Sequence, residues 1–247
     1  GVKSAIITSV TDIKRGNTMA LYAIGDLHLC LGAPKPMDIF GGAWVGYMEK
    51  LKQGMSILQP EDTVVLMGDL SWALDLDSSA EDFAWINAIP GRKIILKGNH
   101  DYWWSTAAKF QKFCQEHGFT DLHLLNNNCF EYDGYAICGT RGWFFEEERS
   151  GQHDEKVFRR ELIRLEASLK AAGEKPKLVF LHYPPRYKGY ECPEILALLE
   201  KYDVRRCFYG HLHGGSHKLA MEGLWSGVDF KLCASDYIGF TPFKVLE

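Results

Sequence analysis

The chain has 247 residues, 46% of them hydrophobic and 24% charged, the make-up of a globular protein long enough to bury a sizeable core. Its formal charge of -4 gives no general attraction to a polyanion, so nucleic acid is not a favoured partner, although bound divalent cations would reverse the field locally. No apolar run approaches the roughly 20 residues that span a bilayer, and the scattered cysteines, 7 in number with no CxxC pair, read as reduced core residues suited to a cytoplasmic location.

In chain order, Ala5 to Val10 is a short apolar piece followed by Asp12, Lys14 and Arg15, the wrong order for a secretory signal. With Met19 directly before the first clear strand, residues 1–18 read as a leader or extension and 19–247 as one domain. Apolar runs at Leu21 to Ile24, Thr63 to Met67, Lys93 to Leu96, Lys177 to Leu181 and Arg205 to Tyr209 read as buried strands, each ending in Gly, Asp, Asn or His. Between them the patterns predict helices over Trp44 to Leu58, Ser79 to Ile89, Thr106 to His117 and Pro193 to Tyr202. A longer amphipathic helix runs from Asp154 to Ala172, with Phe158, Leu162, Leu165 and Leu169 on one face and Glu161 among the polar positions. Leu122 to Leu125, Cys129 to Glu131, Tyr135 to Cys138, Lys218 to Met221 and Lys231 to Ser235 read as further strands, several joined by tight turns such as Asp133-Gly134. Strands alternating with helices, plus hairpins, predict an α/β fold of two mixed sheets packed together and covered by helices.

The strand ends carry the chemistry. Gly25-Asp26-Leu27-His28 puts a carboxylate and an imidazole two residues apart in an extended turn, where both side chains can point the same way. Asp69 follows the second strand, and Gly98-Asn99-His100-Asp101 follows the third, with Asn99 as a neutral oxygen donor and His100 placed for proton transfer. His182 precedes two prolines that stop its strand, and Gly210-His211-Leu212-His213-Gly214 offers two imidazoles able to reach neighbouring metals. Taken singly, each cap is also an ordinary turn. Taken together, they place five of the 9 histidines immediately after apolar strands, which bland turns do not do.

The ordered series Gly-Asp-x-His, Gly-Asp, Gly-Asn-His-Asp, His and Gly-His-x-His resembles the calcineurin-like metallophosphoesterase superfamily over about Leu21 to Gly214. That resemblance implies a four-layer α/β/β/α sandwich with a dinuclear metal site at the strand ends. Asp26, His28 and His213 would bind one cation, Asn99, His182 and His211 the other, and Asp69 would bridge them. The expected cofactors are two divalent ions, Mn, Fe, Zn, Co or Ni, and the expected reaction is hydrolysis of phosphomonoesters or phosphodiesters of small molecules by a hydroxide bridging the metals. His100 would be the general acid. Where the protein Ser/Thr phosphatases of this superfamily carry an Asp and an Arg after the bridging Asp, this chain has Trp72 and Ala73, which disfavours that branch and leaves the orienting partner of His100 open. Arg141 and Arg186 are candidates for gripping phosphate, with a plain surface role as the alternative. Trp72, Trp103, Trp104 and Trp143 either line a substrate pocket or pack in the core. The rival functions are a nuclease of the same chemistry and a non-catalytic metal-binding scaffold.

Overall fold

The structure is a computed structural model that describes residues 18–144 and 152–247. The expected leader lies outside the described residues except for Thr18. In chain order the elements are β1 Leu21–Ile24, α1 Tyr47–Met55, β2 Thr63–Met67, α2 Ala80–Ala88, β3 Arg92–Leu96, α3 Ala107–His117, β4 Leu122–Leu124, β5 Phe130–Tyr132 and β6 Tyr135–Thr140. They continue with α4 Gln152–Ala171, β7 Lys177–Leu181, β8 Arg186–Tyr187, β9 Tyr190–Glu191, α5 Pro193–Lys201, β10 Arg206–Tyr209, β11 Gly223–Trp225, β12 Val228–Leu232 and β13 Phe243–Leu246.

Two large sheets form, in the orders β13-β1-β2-β3-β4 and β11-β12-β10-β7-β6-β5. The central strands of each run parallel, and β13, β11 and β5 pair antiparallel at the margins, so both sheets are mixed. Parallel strands buried on both faces need apolar side chains at every position, which is why β1, β2 and β7 read as unbroken apolar runs. Their alternate residues feed different cores. Leu21, Ala23, Val65, Met67, Ile94 and Leu96 meet Ile137, Leu178, Phe180 and Phe208 between the sheets. Tyr22, Ile24, Val64 and Leu66 face Leu51 of α1, Phe83 of α2 and Phe113 of α3, and Cys138, Val179, Leu181 and Cys207 face Leu165 of α4 and Leu199 of α5. The layers are therefore α/β/β/α. All seven cysteines are free, five of them buried and Cys30 and Cys129 half-buried.

Local sequence explains where the helices stop. The Oγ1 of Thr106 accepts from the backbone N of Lys109 to start α3, and Gly118 at φ 70° ends it; Pro193 opens α5 in the first turn, where its missing N–H costs nothing. The expected helix from Trp44 is shorter, because Gly46 turns left-handed at φ 64° before α1 begins. Lys218 to Met221 is not a strand. The stretch Gly214–Leu219 winds into a 3-10 turn, only Ala220 bridges to Tyr187, and the strand forms at Gly223–Trp225. The expected strand over Lys231 to Ser235 instead begins at Val228 and ends at Leu232, since Cys233 to Ser235 leave the second sheet to reach the first. There Cys233 N donates to Tyr209 O at 2.7 Å, Gly25 N donates to Cys233 O at 2.8 Å and Ala234 bridges Gly25. Glu161, expected on the polar face of α4, is only 3% exposed.

Phe180, fully buried and stacked on Phe208 at 4.9 Å, joins the sheets at their centre. Phe180→Ala is expected to lower the unfolding free energy by about 3–5 kcal/mol, read as a fall in the urea midpoint at unchanged slope.

Candidate metal centre

The ends of β1, β2, β3, β7 and β10 meet at one edge of the two-sheet sandwich. Pairing between β1 and β2 continues beyond the strands: Asp26 N donates to Gly68 O, His28 N to Asp69 O and Leu29 N to Leu70 O, each at 2.9 Å. The two chains thus turn in step, and the turning residues adopt left-handed backbone, with φ 61° at Asp26, 47° at His28, 51° at Asp69 and 71° at His211. Non-glycine residues rarely take this conformation, and where they do at a cleft the strain usually serves to aim a side chain. Two glycines make the aim possible by close approach. A Cβ on Gly98 would overlap the Asp69 carboxylate, and one on Gly210 would lie 2.5 Å from Asp26 Oδ2.

One carboxylate organises these turns. Asp101, fully buried, accepts from Asp69 N at 2.8 Å, Leu70 N at 2.8 Å, Gly98 N at 2.7 Å and Trp103 Nε1 at 2.8 Å. Burial pushes its pKa up, against the hydrogen bonds that favour the charged form. It does not orient His100. The His100 ring instead lies 4.7 Å from that of Trp72, which stacks on His28 at 4.9 Å, and His100 Nδ1 is buried without a partner. Of the other tryptophans, Trp103 and Trp143 are buried, Trp104 packs against Trp103, and Trp44, which the sequence pattern does not mark as part of a site, sits 5.6 Å from the His28 ring and 5.7 Å from that of His213.

All seven candidate ligands come together. On one side, Asp26, His28 and His213 offer donor atoms close enough to share an ion, with His213 Nε2 3.2 Å from Asp26 Oδ1 and 3.4 Å from His28 Nε2. On the other, Asn99 Oδ1 lies 2.7 Å from His182 Nε2 and 3.0 Å from His211 Nδ1. Asp69 Oδ2 stands between the groups, 3.9 Å from His28 Nε2 and 3.5 Å from His182 Nε2. His182 Nδ1 is 3.0 Å from Met67 O, which can only accept, so that nitrogen donates and Nε2 faces the centre beside Asn99 Oδ1. Asp236, also unmarked by any sequence pattern, accepts from His213 Nδ1 at 2.8 Å and Gly214 N at 3.1 Å, and fixes that imidazole in the same way.

The electrostatics fit a cation. Burial alone would raise the Asp26 pKa, but the imidazoles of His213, His182 and His28 outweigh it and hold the carboxyl well below its usual range. Burial, with Asp101 and Asp26 adding to it against His182, pushes Asp69 up to about 7. Burial would lower His213, yet Asp26 and Asp236 raise it to about 10, so a proton sits between two carboxylates where a metal would relieve them. His211 is pushed down to about 3, chiefly by burial and then by His182, and so remains a neutral donor.

The two candidate phosphate-gripping arginines are both held by carboxylates. Arg141 Nη2 is 3.6 Å from Glu161, which also takes Thr140 Oγ1 at 2.7 Å and Arg164 Nη1 at 2.6 Å. Its carbonyl accepts from His182 N and Tyr183 N, which ties the end of β6 to the His182 turn. Arg186 pairs with Glu191 at 3.2 Å and lies 3.6 Å over the Trp225 ring.

Imidazole nitrogen and carboxylate oxygen in this mixture suit divalent transition metals, and the layered sheets with donors at their strand ends give the chain the make-up of an α/β metal-binding protein. More particularly, it belongs to the calcineurin-like phosphoesterase family, whose sequence model matches residues 19–215. Membership brings divalent metal use and hydrolysis of phosphoesters. The fold is similar to that of TT1561 of Thermus thermophilus, with TM-score 0.57, 15% identity and coverage of 92% of this chain and 98% of that one. It is also similar to phosphopantetheinyl hydrolase (PptH) from Mycobacterium tuberculosis, with TM-score 0.55, 16% identity and coverage of 92% and 96%. A protein of unknown function, AQ665 from Aquifex aeolicus, aligns with TM-score 0.50, 16% identity and the same coverage. No curated protein matches the chain. Among the described residues, no helix is long and apolar enough to cross a membrane.

Asp101→Asn replaces an acceptor with an amide that must turn an N–H toward backbone donors. The expected loss is at least about 2 kcal/mol of stability, together with a lower content of bound metal by elemental analysis; unchanged melting and metal content would remove Asp101 from this role.

Proposed function

We propose that the chain hydrolyses phosphoesters of small molecules with two divalent cations, one held by Asp26, His28 and His213, the other by Asn99, His182 and His211, with Asp69 between them. The convergence of these seven donors from five strand ends carries the reading. Bound divalent cations supply an acidified water as nucleophile and positive charge facing the phosphoryl oxygens.

The chain's own residues do the rest. Met67 O and Asp236 fix the rings of His182 and His213, so Nε2 of each already faces the centre before any ligand arrives. His100 is the proton donor to the departing oxygen. Burial, then His182 and Lys35, push its pKa down to about 4, so the imidazole is neutral in the free protein at pH 7. A phosphate anion beside it favours the protonated form, which makes the acid a property of the substrate complex. Trp72 lies against His100 at 4.7 Å, and packing rather than charge orients the ring. Arg141, at the strand end beside His182, is the candidate for contact with substrate on that side and has to leave Glu161 to make it. The net charge of -4 favours a small phosphorylated substrate over a nucleic acid.

Metal-stripped protein is expected to be inactive on p-nitrophenyl phosphate and bis-p-nitrophenyl phosphate and to regain turnover with Mn. Asp69→Ala should abolish that recovery, and His100→Ala should lower kcat by about 100-fold to 10,000-fold while two metals still bind. Turnover that survives metal removal would sink the proposal. Asp236→Asn is expected to weaken metal binding by about 10-fold to 100-fold with the fold intact, measured by competition with a chelating dye.

A further inference from the structure

The metal centre and His100 account for a phosphoryl group and one proton, and leave a cation beside them unassigned. Lys35 is exposed and lies in the stretch between β1 and the 3-10 turn Met37–Phe40. Its Nζ sits 3.4 Å from the centroid of the Trp72 ring. Trp72 in turn packs on His28 at 4.9 Å and on His100 at 4.7 Å, so one indole joins the metal centre, the proton donor and the ammonium.

Two further features argue against an idle surface lysine. Pro34 and Pro36 flank it and restrict the backbone, while Met37 is buried just beyond and Trp44 anchors the far side of the same loop against His28. The position of the ammonium is thus prepared by its surroundings. Among the described residues no carboxylate pairs with Lys35; its partner is the face of Trp72, an attraction that holds a cation while leaving N–H donors for a ligand. On the reading that His100 protonates the departing oxygen, the leaving part of a substrate lies toward Trp72, on whose face the Lys35 ammonium sits.

We propose that Lys35 is a specificity-determining residue that receives a second anionic group, a carboxylate or phosphate, on the leaving-group portion of the substrate. This rests on the metal-centre reading above. Substrates of this protein then carry a negative charge beyond the phosphoryl group that is cleaved, and the alcohol released is itself an anion.

Two non-hydrolysable phosphonates that differ only at the far end test this by calorimetry on the Mn-loaded full chain: phosphonopropanoate, which ends in a carboxylate, and propylphosphonate, which ends in a methyl. Wild type is expected to bind phosphonopropanoate about tenfold more tightly, the size of one charged hydrogen bond. Lys35→Ala should erase most of that advantage and Lys35→Arg should restore it. Equal affinities in wild type overturn the proposal, as does an equal loss for both ligands in Lys35→Ala, which would put the ammonium on the phosphoryl group itself. Binding of neither phosphonate sinks the metal-centre reading along with it, whereas tight but equal binding sinks only the role of Lys35.

Discussion

Five backbone turns from two separate sheets have to hold their positions to within a fraction of an ångström, and the buried carboxylate of Asp101 is what fastens the first sheet's share of them. It gathers the N–H groups of Asp69, Leu70 and Gly98 and the indole of Trp103 onto two oxygens. In doing so it joins the end of β2 to the end of β3 and anchors both to the aromatic core under α2 and α3, where Trp103 meets Phe83 at 4.7 Å. Asp69 then reaches across with Oδ1 to accept from His100 N at 2.8 Å, leaving Oδ2 toward the imidazoles. The second sheet is tied in by different bonds: Gly210 N donates to His182 O at 3.0 Å, and His211 N donates to Asp26 Oδ2 at 3.0 Å.

This arrangement is costly by itself. Each left-handed non-glycine residue costs roughly 1 kcal/mol or more, and four of them lie within the cluster. Buried carboxylates add a desolvation penalty that the facing imidazoles offset in part and a bound cation would relieve further. The offset comes from the three apolar cores, built mainly along the strands and carried up to the turns by Leu27, Leu70, Trp44 and Leu212. Stability and function therefore occupy different parts of the same strands: their middles supply burial, and their last residues are strained into position.

That division explains what can be read from the chain alone. Unbroken apolar runs mark β1, β2, β3, β7 and β10, and the polar residues that end them mark the donors, because both signals are local. Signals that are not local do not show. Asp236 lies after a strand that ends earlier than its apolar pattern suggests, and nothing around it announces that its partner is His213, 23 residues earlier. Lys35 lies in a stretch with no hydrophobic period, Trp44 closes a 3-10 turn where the pattern predicts only the start of a helix, and β8 and β9 are two residues each, too short for a pattern to emerge. Glu161 reads as a solvent-face residue because a glutamate on an amphipathic helix usually lies there; Thr140 and Arg141, which join Arg164 of the same helix around it, reach it only in three dimensions.

The strap from Cys233 to Ser235 crosses from the second sheet to the first, and Ser235 Oγ donates to Gly25 O across a separation of 210 residues. A contact over such a span needs the chain nearly to its end, because Ser235 must be made before it can form. A chain still emerging from the ribosome therefore has Asp26 and His28 in hand but lacks His211, His213 and the strap that steadies the β1 turn. The full set of donors and their strap is present only once the end of β10 and the stretch beyond β12 have been made.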